Sequence, residues 1–386
     1  MVKPMKKVFL ILIVLIPLVL LFSTCDPIFF IVSEETKLND PRIDGSPTKI
    51  VEAGGYLWVA SGKTLWQYNG SSWSKFTQSQ AIRDIAATAG YIYINTGDNS
   101  GIIKRSSFSN ISFSDIINSP LSDAQSIYGI DNILFISDKK SPSQFSNFYL
   151  LDAASEPQAI SIDVPDFNMS VLNGVAKDST NYYLCSTTGI FKISPSQLGS
   201  SVFIIESDKT FTGIININDN IIAAIARGGS VSPSLHLISE DAVGSSVADF
   251  PKHSEGRTFF SSGALGLWYK PGAVRPSLLL VGRQDNLQYS STTDYINGYL
   301  EISLDEGDEN PGKIIGSFRE PGTGSPASVD SNERFKTTLG KNPVNSIIQA
   351  PSSIDSNMTL FASTQQRGVW SYRPNNNGEM YWNAEE

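Results

Sequence analysis

Between Gly54 and Phe76 apolar and polar residues alternate in three short bursts, YLWVA, TLWQY and SWSKF, separated by SGK and NGSS. Alternation of period two, broken every five or so residues by Gly, Asn and Ser, predicts strands joined by tight turns. A three-stranded meander has two open edges and one apolar face, so alone it is marginal in water. The pattern makes sense if the chain repeats it.

It does so seven times. Aligned on a common third strand, the copies read TLWQY at 64–68, GIIKR at 101–105, NFYLL at 147–151, GIFKI at 189–193, SLHLI at 234–238, GYLEI at 298–302 and GVWSY at 368–372. An apolar second strand precedes each, and first strands are expected at 82–88, 170–176, 211–217 and 345–350. No sustained helical stripe of period 3.6 occurs. The first five repeats are spaced by 37 to 46 residues, and the spacing stretches to 64 and 70 around the sixth. Repeats of this length with about four strands each predict an all-β, seven-bladed β-propeller over residues 47–386, six or eight blades being the alternatives. A long insertion is expected at 305–342. A two-sheet sandwich would show no such self-similarity, whereas TLWQYNGSSW and GVWSYRPNNNGEMYW both carry Trp-x-Tyr, a Gly/Asn turn and a second Trp.

At these residues the chain resembles the two-component-regulator type of propeller repeat, known from bacterial sensor ectodomains and exported proteins. The first blade matches with Leu57, Trp58, Val59, Ala60, Leu65, Tyr68 and Trp73, and the last with Leu360, Phe361, Ala362, Gly368, Val369, Tyr372 and Trp382. The middle blades keep the strand pattern and scattered glycines. The resemblance implies a propeller with a ligand- or partner-binding role and brings no catalytic residues with it.

The N-terminus supplies an address. Lys3, Lys6 and Lys7 precede a charge-free apolar run from Val8 to Phe22, closed by Ser23, Thr24 and Cys25. This reads as a secretory signal over residues 1–24, and its end resembles a bacterial lipobox that would make Cys25 the lipidated first residue of the mature protein. An uncleaved anchor is the competing reading, although Val8–Cys25 is short for a span and holds Pro17. Residues 25–46 read as a tether. The body is therefore expected in the cell envelope, held at the membrane through Cys25; two or three acyl chains suffice for stable anchoring.

Charge then narrows the partners. Three of the 29 basic residues lie in residues 1–24, leaving 26 against 38 acidic ones, a net charge of −12. Such a surface repels phosphate backbones and excludes nucleic acid as a partner. With Cys25 acylated, Cys185 stands alone in the strand YYLCS, where a small buried thiol is expected. The two histidines, His236 and His253, have no ligand-spaced neighbours, and no P-loop, G-x-S-x-G elbow or dinucleotide fingerprint occurs. No metal or cofactor is expected.

The candidate site is the rim where each second-to-third-strand turn meets the connection entering a blade. Charges there include Asp98, Asp138, Arg227, Arg283 and Arg367, which would face the channel mouth. Three functions compete for such a ring. A binding or assembly module for a protein partner is favoured. A hydrolase or lactonase would need Asp98, Asp138, Arg227 and Arg283 in one pocket, and a carbohydrate binder would need an exposed aromatic platform of Trp73, Trp268 or Trp382.

Overall fold

A computed structural model describes residues 43–385 except for connecting stretches, chiefly 98–101, 117–120, 152–157, 163–170, 228–232, 251–260, 285–297 and 320–338. Its strands form seven antiparallel sheets of four, each made of consecutive strands in sequence order. This is a seven-bladed β-propeller. Blade one holds β1 (Val51–Ala53), β2 (Tyr56–Ser61), β3 (Thr64–Tyr68) and β4 (Trp73–Thr77), and blade two β5 (Ile82–Ala87), β6 (Tyr91–Thr96), β7 (Ile102–Ser107) and β8 (Ser114–Asp115). Blade three holds β9 (Ala124–Ile130), β10 (Ile133–Ser141), β11 (Gln144–Leu151) and β12 (Ile160–Ile162), and blade four β13 (Leu172–Lys177), β14 (Tyr182–Ser186), β15 (Ile190–Ile193) and β16 (Val202–Glu206). Blade five holds β17 (Thr210–Ile217), β18 (Ile221–Arg227), β19 (Ser234–Ile238) and β20 (Val243–Asp249). Blade six holds β21 (Ser261–Trp268), β22 (Leu278–Arg283), β23 (Tyr299–Leu304) and β24 (Ile314–Arg319), and blade seven β25 (Val344–Gln349), β26 (Leu360–Thr364), β27 (Val369–Pro374) and β28 (Met380–Ala384). The 305–342 span thus contains β24, so the sixth blade takes its outer strand from the stretch expected as insertion.

The core consists of the contacts between blades. In β14, Tyr182 and Leu184 pack with Phe135 and Tyr149 of blade three, while Tyr183 and Cys185 pack with Phe211 and Ile214 of blade five. β2 does the same: Leu57 and Val59 face blade seven, Trp58 and Ala60 face blade two. A second strand therefore has two dry faces, which is why it reads as an unbroken apolar run where the outer strand β4 carries exposed Ser74 and Lys75. The tryptophans pair as inter-blade packing: Trp370 and Trp382 sit in the six–seven cluster, and Trp66 and Trp73 against the seven–one cluster.

The first strands line the centre, each against its neighbours. Blades five and six approach backbone to backbone. A Cβ on Gly213 would lie 2.2 Å from Gly263 O, and one on Gly263, whose φ is +87°, would lie 1.9 Å from Thr212 O. Only glycine permits that approach.

The ring closes without a shared sheet. Val369 N donates to Ile43 O (3.1 Å) and Glu385 N to Val369 O (2.9 Å), so both ends of the described chain bond to one residue of β27. Across the seam Trp73 Nε1 donates to Glu385 Oε2 (2.6 Å), Arg373 Nη2 donates to Tyr68 OH (3.3 Å), and Tyr68 OH lies 3.2 Å from Asp355 Oδ2. Residues 43–46, expected as the end of a tether, lie against blade seven.

Candidate functional site

Six first strands carry the same irregularity in the same place. Their pairing to the second strand shifts between Ile82 and Asp84, Ala124 and Ser126, Leu172 and Gly174, Phe211 and Gly213, Ser261 and Leu265, and Val344 and Ser346. Each shift is a β-bulge that leaves Arg83, Gln125, Asn173, Thr212, the stretch from Ser262 or Asn345 without a cross-strand partner. Blade one has the equivalent ahead of β1: Thr48 N donates to Ala60 O (2.8 Å) and Val51 pairs with Trp58, which leaves Lys49 and Ile50 opposite Val59.

These residues stitch the ring together at one level. Asn173 Nδ2 donates to Phe211 O (2.6 Å), Ser262 Oγ to Val344 O, and Asn345 Nδ2 to Pro47 O (3.2 Å), each reaching the first strand or entry of the following blade. Ser126 Oγ donates to Leu172 O (2.9 Å), and Arg83 pairs with Asp123 (2.6 Å). Three of the acceptors, Leu172, Phe211 and Val344, directly precede the bulged residue of their own strand, so the stitch recurs in register.

Within this girdle lies a central cavity of about 470 Å³, lined by Lys49, Asp84, Tyr128, Asn173, Thr212, Ser262 and Asn345 among others. One wall is ionic. Lys49 Nζ bonds Asp84 Oδ2 (2.8 Å) and stands 3.8 Å from the centre of the Tyr128 ring, and Ile127 N donates to the same carboxylate (2.9 Å). Burial pulls the Lys49 ammonium below the usual lysine range, with Asp84 opposing it, and burial pushes the Tyr128 phenol well up. Across the cavity stand amides and hydroxyls.

A second hollow, about 700 Å³, opens on the opposite rim between blades six and seven. The β21–β22 and β25–β26 connections flank it, with Trp268, Tyr269, Pro271, Met358, Tyr372 and Met380 among its walls. Gln349 braces it, accepting from Tyr269 N (2.7 Å) and donating to Tyr269 O (3.1 Å). Met358 holds a left-handed backbone (φ 50°), uncommon for a residue with a side chain. At the tip of the β21–β22 connection Val274 is 94% exposed.

The charges expected at the channel mouth take separate places. Asp138 is fully buried within β10, and its carboxylate accepts from the amides of Ser122 (2.9 Å) and Asp123 (2.6 Å), fastening the entry of blade three to that strand. Burial raises its pKa against those amides. Arg283 is buried at the end of β22, where its amide donates to Gly298 O (2.9 Å). Arg367 is exposed in the β26–β27 turn. Arg227 ends β18, its backbone opposite Thr210. Asp138, Arg283 and Arg367 do not line the central cavity. Cys25, Asp98 and His253 lie outside the described residues. His236 is a buried strand residue bonded to Ser234 Oγ and Gly244 O (3.0 Å each), and the Cys185 thiol is buried, its pKa pushed up by that burial. No aromatic platform forms from Trp73, Trp268 and Trp382. Trp268 and Trp382 are buried, and the Trp73 indole is bound to Glu385.

The bulged residues were findable from the sequence. Aligned first strands read Ile-Arg-Asp, Ala-Gln-Ser, Leu-Asn-Gly, Phe-Thr-Gly, Ser-Ser-Gly and Val-Asn-Ser, a polar residue followed by a small or acidic one. A period-two reading hides this, because a bulge shifts the alternation by one residue.

No family model matches the chain, and no curated protein does. Solved structures do. The extracellular domain of BT4673 from B. thetaiotaomicron matches 87% of the chain with a TM-score of 0.54 and 13% identity, this chain spanning 39% of that one. YCF48 bound to D1 peptide matches 86% of the chain and 93% of its own (TM-score 0.51, 12% identity). A chain of a mitotic checkpoint complex matches 91% and 95% (TM-score 0.53, 10% identity). The likeness is one of fold. At these identities what is shared is the propeller.

Proposed function

We propose that the protein is a cell-envelope lipoprotein, anchored through Cys25, whose propeller is a binding or assembly module for a protein partner. The observation that carries the binding role is the hollow between blades six and seven. Aromatic and thioether side chains line it, a braced floor shapes it, and Val274 projects beside it into solvent, an arrangement suited to an apolar side chain of a partner segment. Two neighbours of the same fold support this reading by their company, one described with a peptide and one from a multiprotein complex. The extracellular setting of BT4673 supports placement outside the cytoplasm. The long connection after β24 adjoins blade seven in sequence and would help set specificity.

The test is affinity capture of the full-length protein from mild-detergent envelope extracts, beside Val274→Asp and Met380→Asp variants and a version lacking residues 320–338, which spares β24. Capture of a stoichiometric partner by the parent, reduced tenfold or more by either aspartate, is the expected result. Capture unaffected by both substitutions would remove the hollow from the account. Metabolic labelling with a tritiated fatty acid, abolished in Cys25→Ala, checks the anchor separately.

A further inference from the structure

The central cavity has a chemistry of its own, independent of the groove on the other rim. Among the described residues its one ammonium, Lys49, is already bound to its one carboxylate, Asp84, so the walls they form offer dipoles and no unmatched charge. The stitching also orders the girdle. Asn173 and Asn345 each spend one amide N–H on the next blade, as Ser262 spends its hydroxyl proton. What remains for a guest is a set of neutral dipoles rich in acceptors: the Oδ1 atom and second N–H of each asparagine and the Ser262 lone pairs. Ile50, Val175, Ile214 and Leu265 lie between them as apolar surface. Charged guests would have to break the Lys49–Asp84 pair, and a wholly apolar one would leave the acceptors dry.

We infer that this cavity binds a small neutral polyhydroxylated molecule, a sugar or polyol, whose hydroxyl protons meet the asparagine and serine acceptors while its C–H faces lie on the four aliphatic residues. At roughly 30 Å³ per displaced water, the volume corresponds to about fifteen waters, room for a molecule of one or two sugar rings.

The experiment is ligand-observed NMR and calorimetry on the detergent-solubilised full chain with glucose, galactose, N-acetylglucosamine, maltose and mannitol. Inorganic phosphate and tetramethylammonium serve as charged probes. At least one neutral probe is expected to bind with a dissociation constant of about 1 mM or tighter, and neither charged probe to do so. Binding should slow hydrogen exchange at 172–175 and 344–347. Asn173→Leu should weaken it tenfold or more, with the melting temperature showing that the variant remains folded. Because the exchange footprint uses the parent protein, a variant that fails to fold does not rescue the idea. No binding by any neutral probe at 50 mM, tighter binding of phosphate or tetramethylammonium, or a footprint away from these first strands would each overturn it.

Discussion

Thr212 is the odd member of the polar girdle. Where Asn173, Ser262 and Asn345 reach the next blade, its Oγ1 is buried without a hydrogen-bond partner, because Gly213 and Gly263 bring blades five and six together by backbone contact instead. An unsatisfied buried hydroxyl costs about 1–3 kcal/mol, and valine has the same shape without it. Thr212→Val is therefore expected to stabilise the protein by about 1 kcal/mol in urea unfolding; an unchanged or lower midpoint would mean that the hydroxyl has a partner in solution. Thr212 thus repeats the position of its neighbours and not their role, which a pattern of letters does not disclose. Asp138 makes the same point, since its expected place in a turn predicts a solvent-facing charge and the fold turns it inward to hold two amides.

At the scale of strands, the second strands are legible because both their faces are buried and their apolar runs stand out, and the third strands because each follows a second strand in sequence. The first strands were harder to bound, as they bulge at their second or third residue and carry polar side chains into the centre. β24 is hard to tell from an insertion because its sequence, IIGSFR, has exposed positions and two small residues, the composition of an outer strand and of a loop alike. The contact between β17 and β21 also gives a sharp forecast. Gly263→Ala places a methyl group within clashing range of the Thr212 carbonyl and in a left-handed conformation, so a loss of about 2–3 kcal/mol is expected. Gly272→Ala, with open space around it but φ +79°, isolates the conformational share and should cost less.

For the whole ring, the seam between blades seven and one responds to alkali. Burial, aided by Asp355 and against the pull of Arg373, lifts the Tyr68 phenol to about 12, and burial with Asp131 does the same for Tyr182. A phenol whose folded pKa lies above its unfolded value near 10 contributes stability that is complete below about pH 10 and is lost as pH rises through 12. The melting temperature should fall over that window, and Tyr68→Phe should flatten the fall; an identical slope in the variant would show that the seam does not sense the phenol. Seven blades could be counted from the sequence because each is a self-contained run of strands. The central cavity could not be seen there, since its walls come from seven places in the chain and its polarity from bonds between blades.

That both described ends rest on Val369 has a corollary for how such a chain can be rearranged. No strand is borrowed across the seam, so blade seven relates to blade one much as any blade relates to the next, apart from one peptide connection. Joining residue 385 to residue 43 by a short linker and opening the chain within another inter-blade connection would leave every four-stranded sheet intact. The position of the seam is thus a matter of where the reading frame starts, and circular permutants of this ring are its topological equals.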